Sequence, residues 1–200
     1  MRLVLLGPPG AGKGTQAIRL AERLHVPHIS TGDLFRANIN QETSLGLQAK
    51  RYLDSGELVS DALTLQIVRE RLADGDVAEG FVLDGFPRTV VQADELDKIL
   101  SAAGKKLDAV LALEAPEEIL VSRLLRRCRA DDTEDVIRHR MEVYREDTAP
   151  LLEHYRDLLV TVDAVGDVED VTDRVLSSLP AAQSVKEHGH LLDENGLSAG

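Results

Sequence analysis

Short apolar runs recur along the chain, and each is followed by a stretch of helical period. Leu3 to Leu6 is continuous and stops at Gly7, the pattern of a strand buried on both faces. The next stretch places Ile18, Leu20, Ala21 and Leu24 on an apolar helical stripe. His28-Ile29-Ser30 reads as a second strand, and Thr31-Gly32-Asp33 opens another helix. From Thr31 to about Leu72 the pattern stays helical, with breaks expected at Gly46, Gly56 and Ser60-Asp61. Phe81-Val82-Leu83 is a third buried strand, ending at Asp84-Gly85, and a helix runs from about Thr89 to Ala103. Ala109 to Leu113 is a fourth strand, and Pro116 starts the following helix, a favoured place for proline. A polar break at Ala130-Asp131-Asp132 precedes a long helix with Val136, Ile137, Met141, Val143 and Tyr144 on its apolar side. Leu158 to Val162 is a fifth strand, and Val168 to Leu179 a closing helix.

Strands alternating with helices predict an α/β fold, a five-stranded parallel sheet covered on both faces. The forty residues after the second strand carry helices but no strand, so part of them reads as a helical insert. After Pro180 the hydrophobic pattern dissolves, and residues 181–200 read as a disordered tail. His188 and His190 in that tail have the spacing of a metal pair, but no further ligand lies near them in sequence.

Composition narrows the class. Hydrophobic residues are 43% and charged residues 29%, a globular balance. No apolar run reaches the ~18 residues of a membrane span. The N-terminal run is too short for a signal peptide, so a cytoplasmic location and no membrane contact are expected. The single cysteine, Cys128, makes no internal disulfide, and no CxxC pair is present to hold a structural zinc.

Charge is more pointed. With 23 Lys+Arg against 35 Asp+Glu the formal net charge is −12, which argues against a general nucleic-acid binder. Three Phe, three Tyr and no Trp leave little to stack bases. Yet Arg123, Arg126, Arg127, Arg129, Arg138 and Arg140 fall within eighteen positions. Such a run suits a solvated helix face as well as an anion site.

The clearest chemistry lies between the first strand and first helix. Gly7-Pro8-Pro9-Gly10-Ala11-Gly12-Lys13-Gly14-Thr15 fits G-x-x-x-x-G-K-[ST] in strand–loop–helix context. Glycines let consecutive backbone N–H groups turn inward, and with the helix N-terminus they make an anion nest. Lys13 adds a mobile point charge at the outer phosphates, and Thr15 has a hydroxyl able to ligand Mg²⁺. The loop therefore predicts nucleoside triphosphate binding. Asp84 ends the third apolar strand, where an open parallel sheet lines its ligand crevice, and is placed to hold a magnesium-bound water. A turn aspartate before glycine is the plainer account of the same residue. Arg36 and Arg88 are not assignable by spacing alone. The chain has no N-K-x-D motif, which speaks against a GTPase-like switch protein.

These residues resemble the adenylate kinase family. The resemblance is carried by Gly7 to Thr15, Ile29 to Arg36, Gly56-Glu57-Leu58-Val59, Asp84-Gly85-Phe86-Pro87-Arg88 with Gln92, Asp131-Asp132, and Thr148-Ala149-Pro150-Leu151. It spans roughly the first 179 residues. It implies a P-loop NTPase fold and reversible transfer between ATP and AMP to give two ADP, with Mg²⁺ and without structural zinc. Segments 1–29, 60–125 and 133–179 would form the core, 30–59 an AMP-binding subdomain, and 126–132 a very short lid. Thr31 and Gln92 would meet the AMP base, beside Glu57, Leu58 and Val59. Arg36 and Arg88 would clamp its phosphate, next to the Gly85-Phe86-Pro87 turn. Gly10, Ala11, Gly12, Lys13, Gly14 and Thr15 would wrap the ATP phosphates. Arg123 would lie against the ATP base, Gly166 would offer backbone near it, and Arg127 would meet the phosphates. Arg129 and Arg140 would reach the transferring group or the AMP phosphate. Lys13, Arg88, Arg127, Arg129 and Arg140 would thus form the catalytic set.

Two departures stand out. Longer members carry a mobile lid where only Cys128 to Asp132 bridges the gap here. The segment Val162-Asp163-Ala164-Val165-Gly166 has alanine and glycine where many relatives show glycine and lysine. The expected mechanism is in-line attack by an already ionised phosphate, so no general base is assigned and the six histidines are expected to be non-catalytic. The neighbouring possibility is another nucleoside monophosphate kinase of UMP/CMP type, though such relatives tend to carry alanine where Thr31 stands. A monomer is expected, closing over AMP through its helical insert.

Overall fold

The run at Arg2–Leu6 forms the central strand, β1, and its alternation explains the two layers around it. Leu3 and Leu5 point into one core cluster and Val4 and Leu6 into another, all of them fully buried. Burying one such side chain contributes about 1.5–3 kcal/mol. This is a computed structural model, and it describes residues 1–127 and 133–180, with the backbone alone at Arg127. Cys128 to Asp132, and the 181–200 segment with His188 and His190, lie outside the described residues.

The elements follow in alternating order: α1 (Lys13–Leu24), β2 (His28–Ser30), α2 (Thr31–Asn40), α3 (Ser44–Ser55), α4 (Asp61–Leu72), β3 (Phe81–Asp84) and α5 (Val90–Ala102). Then come β4 (Ala109–Glu114), α6 (Glu117–Arg127), α7 (Glu134–Val143), a π-helical turn over Tyr144–Thr148, α8 (Pro150–His154), β5 (Leu159–Asp163) and α9 (Val168–Ser178). The described residues form a five-stranded sheet in the order β2-β3-β1-β4-β5, parallel throughout. This is the predicted α/β architecture. The chain lays β2 and β3 on one side of β1 and then β4 and β5 on the other, so the crevice at the strand C-termini opens beside β1.

Two local readings are corrected. Ile18 is 50% exposed and does not belong to the apolar stripe of α1. The buried face is Gln16, Ala17, Leu20 and Ala21, because the i, i+3, i+4 series starts at Ala17. Gly46 does not break the helical region but lies inside α3. The break falls one turn earlier, where the Thr43 hydroxyl caps α3 by accepting from Gly46 N at 3.0 Å. Gly46 is there for close approach, since a Cβ at that point would run into the Asn38 carbonyl of α2.

Candidate active site

Three strand ends build the floor of a cavity of about 880 Å³. β1 delivers the glycine loop, β3 delivers Asp84, and β2 delivers His28 and Ser30. The β1–β3 register pairs Leu5 with Asp84, which brings that carboxylate level with the start of the loop. The loop needs its glycines. Gly10 has φ 85°, and a Cβ there would sit 2.5 Å from the Leu120 carbonyl oxygen. Lys13 Nζ donates to the Gly7 and Pro8 carbonyls at 2.7 and 2.9 Å, bracing the loop from within.

Gly10 to Thr15, Arg36, Glu57, Leu58, Asp84, Gly85, Pro87, Arg88, Arg123, Arg140 and Gly166 line this one cavity. Arg123 donates to the Ala164 carbonyl at 2.9 Å. Arg36 pairs with Asp33 at 2.6 Å, Arg88 Nε donates to the Gly85 carbonyl at 2.9 Å, and Arg140 donates to the Leu53 carbonyl at 3.4 Å. A guanidinium carries five N–H donors, so at Arg36, Arg88 and Arg123 one such bond orients it without exhausting it.

Thr31, Val59, Phe86 and Gln92 do not line the cavity; they are buried behind its wall. Thr31 Oγ1 donates to the Gly85 carbonyl at 2.9 Å. Gln92 Oε1 accepts from Arg88 N at 2.8 Å, and its Nε2 donates to Asp61 Oδ1 at 2.7 Å. The Arg127 side chain and Arg129 lie outside the described residues.

Burial pushes the Asp84 carboxyl up, but the facing His28 imidazole and the charges of Lys13 and Arg88 outweigh it and hold it below the usual carboxylate range. His28 Nε2 stands 3.8 Å from Asp84 Oδ2, too long for a hydrogen bond but close enough to matter electrostatically. The guanidinium of Arg88 is open to the water of the cleft, yet protein surrounds that cleft. The resulting desolvation lowers its pKa, Asp84 opposes the change, and the nearby cations Arg140 and Arg36 add to it. Crowded cations beside one ionised carboxylate suit a highly anionic ligand. Asp84 Oδ2 would lie 3.3 Å from a Cβ at Gly14, and Thr15 lines the same cavity, so a carboxylate and a hydroxyl of the hard-oxygen kind Mg²⁺ takes both border it.

Three supporting residues escaped the sequence reading. Asp61 accepts from Gln92 and from Thr89 Oγ1 at 3.1 Å. Thr148, on the π-helical turn, donates to the Arg88 carbonyl at 2.9 Å. His28 faces Asp84. In the sequence Asp61 reads only as part of a break in the helical region and Thr148 only as part of a motif; no local signal marks their partners.

A family model described as adenylate kinase matches residues 5–159. An adenylate kinase of Nocardia farcinica is 62% identical over 179 residues, which cover 90% of this chain and 99% of that one. Those of Mycobacterium tuberculosis (strain ATCC 25177 / H37Ra) and Corynebacterium glutamicum (strain R) are 58% and 57% identical over the same shares of both chains. The chain belongs to the adenylate kinase family. It is therefore a nucleoside monophosphate kinase with the P-loop NTPase fold, and the five-stranded parallel sheet and glycine loop described above are those of an adenylate kinase. Among the described residues, no helix of the chain is long and apolar enough to cross a membrane.

Proposed function

We infer that the chain catalyses ATP + AMP = 2 ADP, reversibly, by direct in-line attack of an AMP phosphate oxygen on the γ-phosphorus of ATP. The observation that carries this reading is the cavity in which the glycine loop and Asp84 share walls with Arg36, Arg88, Arg123 and Arg140. On the donor side Gly10, Ala11, Gly12, Lys13, Gly14 and Thr15 wrap the phosphates, with Arg127 beside them, and Arg123 and the Gly166 backbone border the base. On the acceptor side Arg36 and Arg88 clamp the AMP phosphate against the Gly85-Phe86-Pro87 turn. Glu57 and Leu58 wall the base with Val59 behind them, and Thr31 and Gln92 brace the Gly85–Arg88 turn from behind. Arg129 and Arg140 neutralise charge on the moving group. The attacking oxygen is already ionised, so the protein positions and stabilises charge rather than moving a proton.

Magnesium belongs to this reading. It enters with ATP and neutralises charge on the β- and γ-oxygens. Asp84 would hold it through water and Thr15 offers a hydroxyl. Residues 30–59 act as the AMP-binding subdomain, 126–132 as a very short lid, and 1–29, 60–125 and 133–179 as the core. The reading includes action as a monomer in the cytoplasm, on nucleotides rather than nucleic acid.

Rates of ADP formation from magnesium ATP with AMP, CMP, UMP or GMP test it. ADP is expected to form only with an acceptor present, and AMP to be strongly preferred. Consumption of ATP without acceptor, or preference for CMP or UMP, would overturn it. The UMP/CMP alternative is not favoured, since the relatives named above are adenylate kinases.

A further inference from the structure

One face of α7 meets the helical insert. Val136, His139 and Arg140 stand at i, i+3 and i+4, on the same side of the helix. Arg140 donates to the Leu53 carbonyl at 3.4 Å. Gly56 comes so close that a Cβ there would lie 3.1 Å from Val136 Cγ1. Next to it, His139 Nε2 lies 2.7 Å from Glu57 Oε1. Glu57 opens the irregular segment 57–60, which also brings Leu58 to the cavity wall. A histidine that takes no part in the chemistry thus ties the core to the segment bordering the acceptor site.

We propose that His139 is a positioning residue for the acceptor nucleotide, its clasp on Glu57 holding the Glu57–Leu58 wall in place for AMP. The inference rests on the acceptor reading of that wall given above. The charged groups facing His139 are Glu57 from the insert and Glu142 from α7 itself, 3.7 Å from Nδ1. Of its neighbours on α7, Arg138 is paired with Glu134, and Arg140 reaches Leu53. The hydrogen bond to Glu57 raises the His139 pKa above its ordinary value, desolvation opposes it next in size, and the charges of Glu57 and Glu142 add to the rise. The sign follows. The charged imidazole strengthens the clasp, so its contribution is complete below the ordinary histidine value of about 6.5 and is lost as pH rises through the raised value. AMP affinity therefore carries a pH dependence that ATP affinity lacks. Both side chains are well exposed, at 38% and 51%, so the effect is modest in size.

Steady-state kinetics of the wild type, H139A, H139E, E57K and the charge-reversed double variant H139E/E57K test this from about pH 6 to 9, the range in which a histidine titrates. H139A is expected to raise the KM for AMP about two- to five-fold at the acid end, the ratio to wild type falling toward one as pH rises. Its KM for ATP and its kcat stay close to wild type. The phosphate of AMP also titrates near the acid end, but it is common to all variants and cancels in the ratio. The double variant is expected to recover AMP affinity beyond the combined effect of H139E and E57K measured singly. An AMP titration followed by the amide signals of Glu57, Leu58 and Val59 separates the two levels. If those signals do not respond to AMP, the acceptor reading has failed. If they respond while H139A keeps the wild-type KM for AMP at every pH, or the double variant merely combines its two losses, the role of His139 is overturned.

Discussion

Arg88 is held by its backbone before it meets any ligand. Its N–H donates to Gln92, its carbonyl accepts from Thr148, and its Nε donates to Gly85. Fixing both peptide groups around a guanidinium removes ordering entropy that binding would otherwise have to overcome. Arg88→Ala is expected to lower kcat about 100-fold or more with the melting temperature unchanged. Arg88→Lys should fall between, since an ammonium keeps the charge and loses the planar fork. Steady-state rates and thermal melts measure both, and near-normal turnover of the alanine variant would end the clamp role. Arg88 itself was legible in the sequence, standing in Asp84-Gly85-Phe86-Pro87-Arg88. Its braces were not. Thr148 lies 60 residues from Arg88, and Asp61 lies 31 from Gln92. Periodicity and capping signals describe near neighbours, whereas these bonds are made by the fold. The same holds for Thr31 and Gln92, which sit one layer behind the cavity wall.

At the level of elements, the strands were the most readable part. Each is a short apolar run bounded by turn residues, and burial on both faces of a parallel sheet demands that pattern. Their order in the sheet was not readable, because pairing between distant runs leaves no local trace. The helices were readable in place but less so in phase. Ile18 misled because the stripe of α1 is anchored on the small Ala17, which a search for bulky residues passes over. Gly46 misled because a glycine that permits close helix contact looks, in one dimension, like a glycine that ends a helix. Gly46→Ala is expected to cost about 1–3 kcal/mol, visible as a fall in Tm of several degrees. Gly75→Ala is the control, for nothing lies within 4 Å of a Cβ there. Equal melting temperatures for the two variants would refute the close-approach account.

For the whole molecule, the cavity joins the core to the helices between β2 and β3, so filling it should draw the two together. Binding of a bisubstrate inhibitor is expected to reduce the radius of gyration, measured by small-angle scattering, and to protect the amides of α2 and α3 from exchange. An unchanged scattering profile would show that the helical insert does not close. Net charge and composition had excluded broad classes at this scale without reaching a substrate; the strand ends and their side chains were needed for that.

Both roots of the insert are fastened to the loop that carries Arg88. Thr31, at the entry, is bonded to Gly85, and Asp61, at the exit, is bonded to Thr89 and Gln92. If the insert closes on its ligands, that loop would serve as the fulcrum of its lever arm, and the guanidinium mounted on it would keep its aim while the arm travels.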